Sequence, residues 1–210
     1  MAATLAIWVD IRPADDDAFN LWHTQEHLGE RVSLPGWRRG CRFRGIERPT
    51  QYLLLYDADT LAAFDSPAYY ARLRDPTPRS RAILPCFRDT CRTACAVERR
   101  IGSGIGPVAL AFRDAYEETF EIVERHGPLR LDLLHGQPAV GQARTTEQEL
   151  RGGADAQIDA AIIAFFADVD AARAASRENA SFFAEIRHPR AYAHVGETFE
   201  LVHSVSAGDT

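Results

Sequence analysis

Two histidines and a glutamate in the first thirty residues have the types and spacing of an acid–base site. His23 and His27 are four positions apart, and Glu26 directly precedes the second histidine. Residues four apart share one side of a helix, so the two imidazoles would lie together. An imidazole changes charge near neutral pH, which suits it to carry a proton, and a carboxylate can orient it. We therefore predict His23, Glu26 and His27 as catalytic residues, with a structural or surface histidine as the alternative for His27.

The same segment, His23-Thr24-Gln25-Glu26-His27, matches the H-x-x-E-H signature of inverted zinc proteases. In such a site the two histidines and a distant glutamate would bind zinc, and Glu26 would activate a water molecule. Five-residue matches arise by chance, and those proteases are much larger than 210 residues. We expect no metal and no cofactor.

Aromatic and arginine side chains elsewhere predict an apolar or aromatic acid as the substrate. Arg42 shares one face of a predicted strand with Arg38 and Arg44, and a guanidinium there could hold a substrate carboxylate. The alternative is a solvated strand face, where charge discourages pairing between sheet edges. The residues expected on the opposite face are Trp37, Cys41 and Phe43. The residues predicted to bind the substrate, as an apolar wall with one cation, are Trp8, Trp22, Arg42 and Tyr56.

The composition excludes several familiar chemistries. All 24 basic residues are arginine, so a lysine Schiff base is excluded. The net charge is -6, which predicts no nucleic-acid partner. The sequence has no secretory signal and no apolar run of about 18 residues, so we expect a cytoplasmic protein outside the membrane. Its four cysteines form no C-x-x-C pair, which is typical of a reduced protein.

The candidate residues belong to an order of strands and helices that occurs twice. Alternating apolar residues from Leu5 predict a strand, and the acidic run after Pro13 predicts a helix that ends near Val32. Two strands, a helix and a strand that ends near Arg99 complete the order β-α-β-β-α-β. This is the order of the ferredoxin-like unit.

The second half of the chain repeats this order after a glycine-rich linker at residues 101–106. It includes a last helix from Ala171 to Ile186 and a closing strand through Val205. We predict an α+β protein of two ferredoxin-like repeats, residues 1–101 and 106–206, whose sheets pack together. The reason is that Ala6 and Trp8, on the other face of the first strand, do not suit open water.

Residues 22–31 and 34–40, which include Trp22, Glu26-His27-Leu28, Arg31 and Pro35-Gly36, resemble a recurring pattern of the dimeric α/β-barrel superfamily, most closely its EthD-like branch. The second half carries only a faint echo of the pattern. The resemblance implies an intramolecular dimeric α/β barrel, either a monomeric pseudo-dimer or a homodimer. It also implies a small-molecule pocket between the first helix and its sheet.

The known chemistries of that superfamily leave three functions open. The first is a cofactor-independent enzyme of oxygenase, isomerase or decarboxylase type. The second is a non-catalytic binding or stress-associated barrel. The third is a haem-binding barrel with His126, His135 or His203 as the axial ligand. His135 and His203 continue the apolar phases of their strands, so burial between the sheets is expected for both, and a structural role is the alternative.

A helical wheel of about 100° per residue predicts how the first helix faces its sheet. The residues on its core side are Leu21, Leu28 and Val32. Glu26 falls at the margin of that side, and His27 falls nearly opposite. We therefore expect the main cavity in the first repeat, bounded by Trp22, Glu26 and the first sheet, with Glu26 nearer to it than His27.

Overall fold

The computed structural model describes residues 1–141, 143–185 and 196–209. The elements of the first half are β1 (Ala3–Ile11), α1 (Asp16–Trp22), a π-helical turn (His23–His27), α2 (Leu28–Val32), β2 (Trp37–Gly45), β3 (Gln51–Ala58), α3 (Pro67–Arg74), α4 (Pro78–Ile83) and β4 (Phe87–Gly102). The elements of the second half are β5 (Val108–Arg113), α5 (Glu117–Glu124), β6 (Arg130–Gly136), α6 (Thr146–Leu150), β7 (Ala160–Phe166), α7 (Val169–Glu185) and β8 (Glu197–Ser206). The predicted end of the last helix at Ile186 lies outside the described residues.

The eight strands form one closed antiparallel barrel in the order β1-β3-β2-β8-β5-β7-β6-β4. Within each half, the fourth strand pairs with the first, the first with the third, and the third with the second. The halves join through β2 with β8 and through β4 with β6. The predicted α+β barrel is thus confirmed. Because the edge strands of the two halves pair with each other, the barrel leaves no open sheet edge among these strands.

Alternating residues of β1 show how the barrel divides the core. Leu5 and Val9 face outward into an apolar cluster covered by the helices of the first half. Ala6 and Trp8 face the lumen, where they pack with apolar residues of both halves and are 0% and 1% exposed. The second half has its own outer cluster under α5 and α7. No described helix is both long and apolar enough to cross a lipid bilayer.

Strand β4 is the longest strand and passes from one half to the other. It pairs with β1 from Phe87 to Ala96 and with β6 from Cys95 to Gly102. The strand therefore extends two residues, Ile101 and Gly102, into the predicted linker. The division of the chain into repeats 1–101 and 106–206 stays a prediction.

A buried ionic network ties the two halves together through the barrel. Arg130 of β6 donates hydrogen bonds of 2.8 and 2.9 Å to both carboxylate oxygens of Asp57 in β3, which is not its neighbour in the sheet. Its Nε also donates to Asp132 at 2.9 Å. Burial alone would raise the pKa of Asp57, but the hydrogen bonds from Arg130 outweigh it and hold that pKa below its ordinary value.

Two β-bulges change strand faces that simple alternation predicts. A register shift between Trp37 and Arg39 turns Trp37 to the outer cluster, while Cys41 and Phe43 face the lumen. The expectation that these three share a face was wrong, because a bulge adds one residue and reverses the alternation.

The second register shift pairs Arg42 with His203 but Phe43 with Leu201. Leu201 consequently packs toward the lumen, whereas Val205 packs on the outer cluster, and His203 is half-buried. His135 is exposed on β6, so the prediction that it is buried was wrong.

Candidate functional site

The first long helix of the chain contains a π-helical turn at the histidines. The backbone N–H of Leu28 bonds to the carbonyl of His23, five residues back, instead of four. A π turn takes one extra residue, so every later side chain is rotated relative to an ideal helix, and such turns are frequent at functional sites. The wheel was right for Leu28 and Val32, which are 0% and 1% exposed, and wrong for Leu21 and His27, because it continues one helical phase through the extra residue. Leu21 is 53% exposed, whereas His27, which was expected to face away from the sheet, is 9% exposed.

His23, the first residue of this turn, is completely buried. A hydrogen bond of 3.2 Å joins its Nε2 to the hydroxyl of Tyr56 on β3, with the donor set by the tautomer. Its Nδ1 has no hydrogen-bond partner among the described residues. Burial, followed by the positive charge of Arg42, holds the pKa of His23 well below 6.5. The ring is therefore a neutral imidazole at physiological pH.

His27 lies beside His23, with 5.5 Å between the ring centroids, and its ring packs against Trp22 at 4.3 Å. Its Nδ1 is also buried and has no partner in the described part of the chain. Burial, and then the charge of Arg31, hold its pKa well below 6.5. The two predicted histidines are thus brought together, and both are in the form that can accept a proton.

Glu26 does not join the two imidazoles. Its carboxylate accepts hydrogen bonds from the hydroxyl of Thr77, at the start of α4, and from that of Ser80 at 3.4 Å. The indole of Trp22 donates to the same Ser80 oxygen at 3.1 Å. Glu26 is half-buried and fastens α4 to the π turn, and none of its hydrogen bonds within the described chain reaches His23 or His27.

Arg42 lies on neither a solvated strand face nor a cavity wall. Its side chain is 2% exposed and donates to the carbonyl of Asn20 at 3.3 Å and to Thr24 Oγ1 at 2.8 Å. The guanidinium also lies 5.9 Å from the ring centroid of Phe19. Arg42 therefore ties β2 to α1 and the π turn. The surface alternative holds for Arg38, which is 65% exposed.

Trp8 is separated from the other predicted substrate-binding residues by the barrel wall. It points into the lumen, where the guanidinium of Arg113 lies 5.8 Å from its ring. Trp22 and Tyr56 belong to the outer cluster on the other side of the sheet. The structure therefore brings Trp22 and Tyr56 to the histidines but leaves Trp8 out, because neighbouring residues of β1 point to opposite faces.

A small cavity of about 30 Å³ lies between the first helix and its sheet, as the resemblance implied. We call it the His27 cavity. Its polar lining residues are His27, Arg31, Tyr56, Tyr69, Thr90, Arg92, Glu147 and Arg151. Its apolar lining residues are Leu5, Ile7, Trp37, Leu54, Leu73, Leu84 and Phe87. The predicted boundary was partly wrong, since neither Trp22 nor Glu26 lines the cavity, and α6 of the second half closes it.

Two arginines that sequence reasoning missed supply the positive charge of this cavity. Arg31 donates a hydrogen bond to Glu147, while its Nη1 has no hydrogen-bond partner among the described residues. Arg92 donates to the hydroxyl of Tyr69 at 2.8 Å and forms no ion pair within the described chain. Although burial would lower the pKa of Arg31, Glu147 raises it, so Arg31 is charged. Arg31 lay inside the motif that carried the resemblance, but no sequence signal indicated Arg92.

A larger space opens at one mouth of the barrel, and we call it the barrel-mouth cleft. Its volume is about 680 Å³, and its walls come from both halves of the chain. Its charged lining residues are Asp89, Arg113, Asp114, Arg151, Asp155 and Glu197. The expectation that the main cavity lies in the first repeat was therefore wrong, because the open barrel mouth offers more space than the packed helix layer.

The described residues contain no group of three or more histidine, cysteine, aspartate or glutamate side chains placed to hold a metal ion. The absence of zinc stays a prediction. The three histidines considered as axial ligands of a haem lie apart from both cavities. His126 contacts Glu178 at 2.8 Å on the surface, His135 is exposed, and His203 is half-buried near Arg42. None of the three lines the His27 cavity or the cleft, so these residues do not fit a haem.

The site can perform proton transfer coupled to anion binding. A neutral imidazole, His27, shares a small cavity with the guanidinium groups of Arg31 and Arg92. A cation that lacks a carboxylate partner attracts an anionic group, and the attraction is stronger where water is excluded. The imidazole can accept a proton from a bound acid, and the guanidinium groups can hold the anion that results.

Comparisons with known proteins support the fold and say less about chemistry. No protein-family model matches the sequence, and no curated protein is significantly similar to it. The chain is similar in structure to an anthrone oxidase-like protein, with a TM-score of 0.63, 14% identity, and coverage of 99% of this chain and 93% of that one.

Further structures match at a TM-score of 0.52, including the following two. A "putative monooxygenase" from Fusobacterium nucleatum shares 9% identity, with 98% of this chain and 94% of that one covered. A "putative chlorite dismutase" shares 11% identity, with 99% of this chain and 96% of that one covered. At these identities the likeness shows the dimeric α/β-barrel fold.

Proposed function

We propose that this protein is a cofactor-independent enzyme that binds an apolar or aromatic acid in the His27 cavity and removes a proton from it. The observation that carries the proposal is the neutral imidazole of His27 in one cavity with Arg31 and Arg92. An imidazole must be unprotonated to accept a proton, and burial together with the charge of Arg31 lowers the pKa of His27 and keeps the ring neutral. An acidic C–H or O–H group of the substrate would lie against His27.

The other residues of the cavity divide the remaining roles. Arg92 has no carboxylate partner in the described chain, so it binds the acidic group of the substrate. Arg31, whose Nη1 has no hydrogen-bond partner among the described residues, stabilises the anion that forms beside His27. Tyr56 contacts both the cavity and His23, and this pair supplies a second route for a proton. The apolar lining holds the ring system of the substrate.

Among the reaction types open to this site, we propose oxygenation by molecular oxygen. His27 takes the proton of an activated CH₂ group, and the carbanion gives its electron pair to O₂ and forms a C–O bond. The peroxide takes the proton back from His27 as a hydroperoxide. Loss of water then breaks the O–O bond and the second C–H bond, so CH₂ and O₂ become C=O and H₂O. The likeness to an anthrone oxidase-like protein and to "putative monooxygenase" structures supports this choice. Membership of the EthD-like branch is part of the same proposal.

A non-catalytic binding barrel is the second candidate. The His27 cavity, at about 30 Å³, has space for one water molecule and not for an aromatic ring without rearrangement. Such a protein would bind a ligand through Arg31 and Arg92 but would leave its protons unchanged.

The test uses anthrone as a probe substrate with dissolved oxygen. Oxygen uptake and formation of anthraquinone are followed for the wild-type chain, for His27→Gln and for the control His135→Gln, whose histidine is exposed. We expect turnover by the wild type and the control, and a loss of about a hundredfold or more in His27→Gln, which is the usual contribution of a general base. Thermal unfolding of each variant checks the fold.

Equal oxygen uptake by His27→Gln and the wild type would refute the assignment of His27. Tight binding of aromatic acids without any oxygen uptake or proton exchange would favour the binding barrel.

A further inference from the structure

The His27 cavity and the barrel-mouth cleft share part of their walls. Thr90 of β4 and Arg151, the residue that ends α6, line both spaces. The side chain of Arg151 is 9% exposed, so its guanidinium fills the boundary and does not extend into solvent. The two spaces are therefore neighbours, and Arg151 stands between them.

Arg151 forms ion pairs toward both spaces. On the cleft side, it donates to Asp155 through Nε at 3.2 Å and through Nη2 at 2.7 Å. On the cavity side, its Nη1 lies 3.8 Å from Glu147, which also accepts the hydrogen bond from Arg31. A charged row of alternating sign thus runs from α2 to the cleft, and its side chains are 9% exposed or less. Arg151 can therefore pair with Asp155 on the cleft side or with Glu147 on the cavity side.

The volumes of the two spaces show that Arg151, which separates them, limits the size of a ligand that can reach His27. The cavity, at about 30 Å³, holds one water molecule, whereas the cleft, at about 680 Å³, falls within the usual size of ligand pockets. An aromatic acid can contact His27 only if one wall of the cavity moves. Merging the two spaces at Arg151 would give enough room without disturbing the barrel.

The wall formed by α6 is held by side-chain contacts, one of them the hydrogen bond from Arg31 to Glu147, and not by a strand ladder. The sheet wall belongs to β1, β3 and β4, which are held in continuous hydrogen-bonded ladders. Helix α6 has only five residues, and Thr146 Oγ1 fastens its first turn to the carbonyl of Arg74 at 2.7 Å. It is followed by Gly152 and Gly153, whose φ angles of 103° and 118° lie in a region that other residues rarely adopt.

We propose that Arg151 is the size-determining residue of a single two-part binding site, made of the His27 cavity and the barrel-mouth cleft. It takes an elongated, fused-ring aromatic acid, whose acidic end reaches Arg92 and Arg31 while its far rings extend into the cleft. Arg151 moves aside, retaining Asp155 as its partner, when such a ligand enters. The inference rests on the proposed function for the identity of the inner site, but it concerns binding and not turnover.

The test compares two carboxylate probes of different length on the full chain. Benzoate has one ring and 9-anthracenecarboxylate has three fused rings, and calorimetry gives the Kd of each. The variants are Arg151→Ala, which removes the partition, and Arg151→Met, which removes both ion pairs but keeps most of the volume. The control is Arg144→Ala, which removes an arginine that is 82% exposed on the neighbouring loop.

The measured quantity is the ratio of the two Kd values. Loss of one positive charge weakens the binding of both anions equally, so its effect cancels in the ratio. In Arg151→Ala we expect the ratio to shift about tenfold in favour of 9-anthracenecarboxylate. Arg151→Met should give a smaller shift in the same direction, and it provides the test if the alanine variant does not fold. The control should keep the wild-type ratio.

An unchanged ratio in both Arg151 variants overturns the partition. A changed ratio without proton transfer or oxygen uptake by any variant sustains the partition and refutes the proposed function. Wild-type oxygen uptake with an unchanged Kd ratio supports the proposed function and refutes the partition.

Discussion

Arg31 on α2 donates a hydrogen bond through Nη2 to Glu147 on α6, which lies 116 positions away in the sequence. Both side chains are almost completely buried, at 3% and 5% exposure. The contact places α6 of the second half in the wall of a cavity whose other lining residues, apart from Arg151, belong to the first half. One ion pair therefore joins the two halves outside the barrel and sets the charge beside His27.

Removal of one partner of this pair should destabilise the protein strongly. In Glu147→Gln the charge of Arg31 remains buried with only the more distant carboxylate of Glu30, 3.7 Å from Nη1, and loss of a buried partner of this kind costs about 3–5 kcal/mol. Urea unfolding monitored by circular dichroism measures the loss. The matched control is Glu149→Gln on the same helix, whose side chain is 55% exposed, and it should change the unfolding free energy by no more than about 0.5 kcal/mol.

The double variant Arg31→Met with Glu147→Leu should recover most of the stability, because an apolar pair of similar size has no charge to desolvate. A loss below about 1 kcal/mol in Glu147→Gln, within the range of exposed pairs, would contradict the buried pairing.

Stability should fall as the solution is acidified below the ordinary histidine pKa. The pKa values of His23 and His27 are held well below 6.5 in the folded protein, first by burial and then by nearby arginines. The unfolded chain therefore binds more protons than the folded one between the depressed pKa and 6.5. The contribution of the neutral histidines to the free energy of unfolding is complete above the unfolded-state pKa of 6.5. It is lost as the pH falls from 6.5 toward the lower pKa of the folded state.

Urea unfolding between about pH 5 and pH 8 tests this prediction, with a limiting slope of about 1.4 kcal/mol per pH unit for each histidine. Replacing His27 by Gln should remove its share of the slope, while the exposed-site variant His135→Gln should retain the wild-type dependence. A wild-type stability that is constant across this range would show that the two rings are not neutral in the fold.

Arg92 should discriminate between charged and neutral ligands. In Arg92→Gln the cavity loses the guanidinium that has no carboxylate partner in the described chain, so benzoate should bind about ten- to a hundredfold more weakly. Benzamide, which has the same shape and no charge, should bind with little change. Calorimetric titration of both probes gives the comparison, and Arg38→Gln, at an arginine that is 65% exposed, is the control. Equal losses for benzoate and benzamide would mean that Arg92 acts only by packing.

The sequence predicted the barrel more fully than the site because the barrel follows from local patterns. The alternation from Leu5 onward and the repeated order of elements are readable over a few residues at a time. The bulges at Trp37 and at Leu201 are not, since a bulge depends on the partner strand.

The residues that complete the site depend on contacts over long distances in the sequence. Helix α6 is short and polar, so no apolar periodicity indicates a helix at these positions. The sequence analysis accordingly predicted no helix or strand there. Glu147 and Arg151 were missed for that reason. The π turn was missed because the wheel assumes regular α geometry, although His23 and His27 were found from their spacing alone.

The π turn should be required for the His27 cavity to form. Gln25 is exposed in the turn, and its side chain accepts a hydrogen bond of 3.1 Å from Arg79 on the surface. Deletion of Gln25 should restore regular α-helical phase and rotate His23 and Trp22 away from His27, because α2 is held by its own buried residues. We expect near-native circular dichroism, a lower unfolding midpoint and loss of benzoate binding. Gln25→Ala, which keeps the extra residue, should bind benzoate normally. A deletion variant that binds benzoate with wild-type affinity would mean that the cavity forms without the π turn, and that the phase shift at His23 to His27 does not build the site.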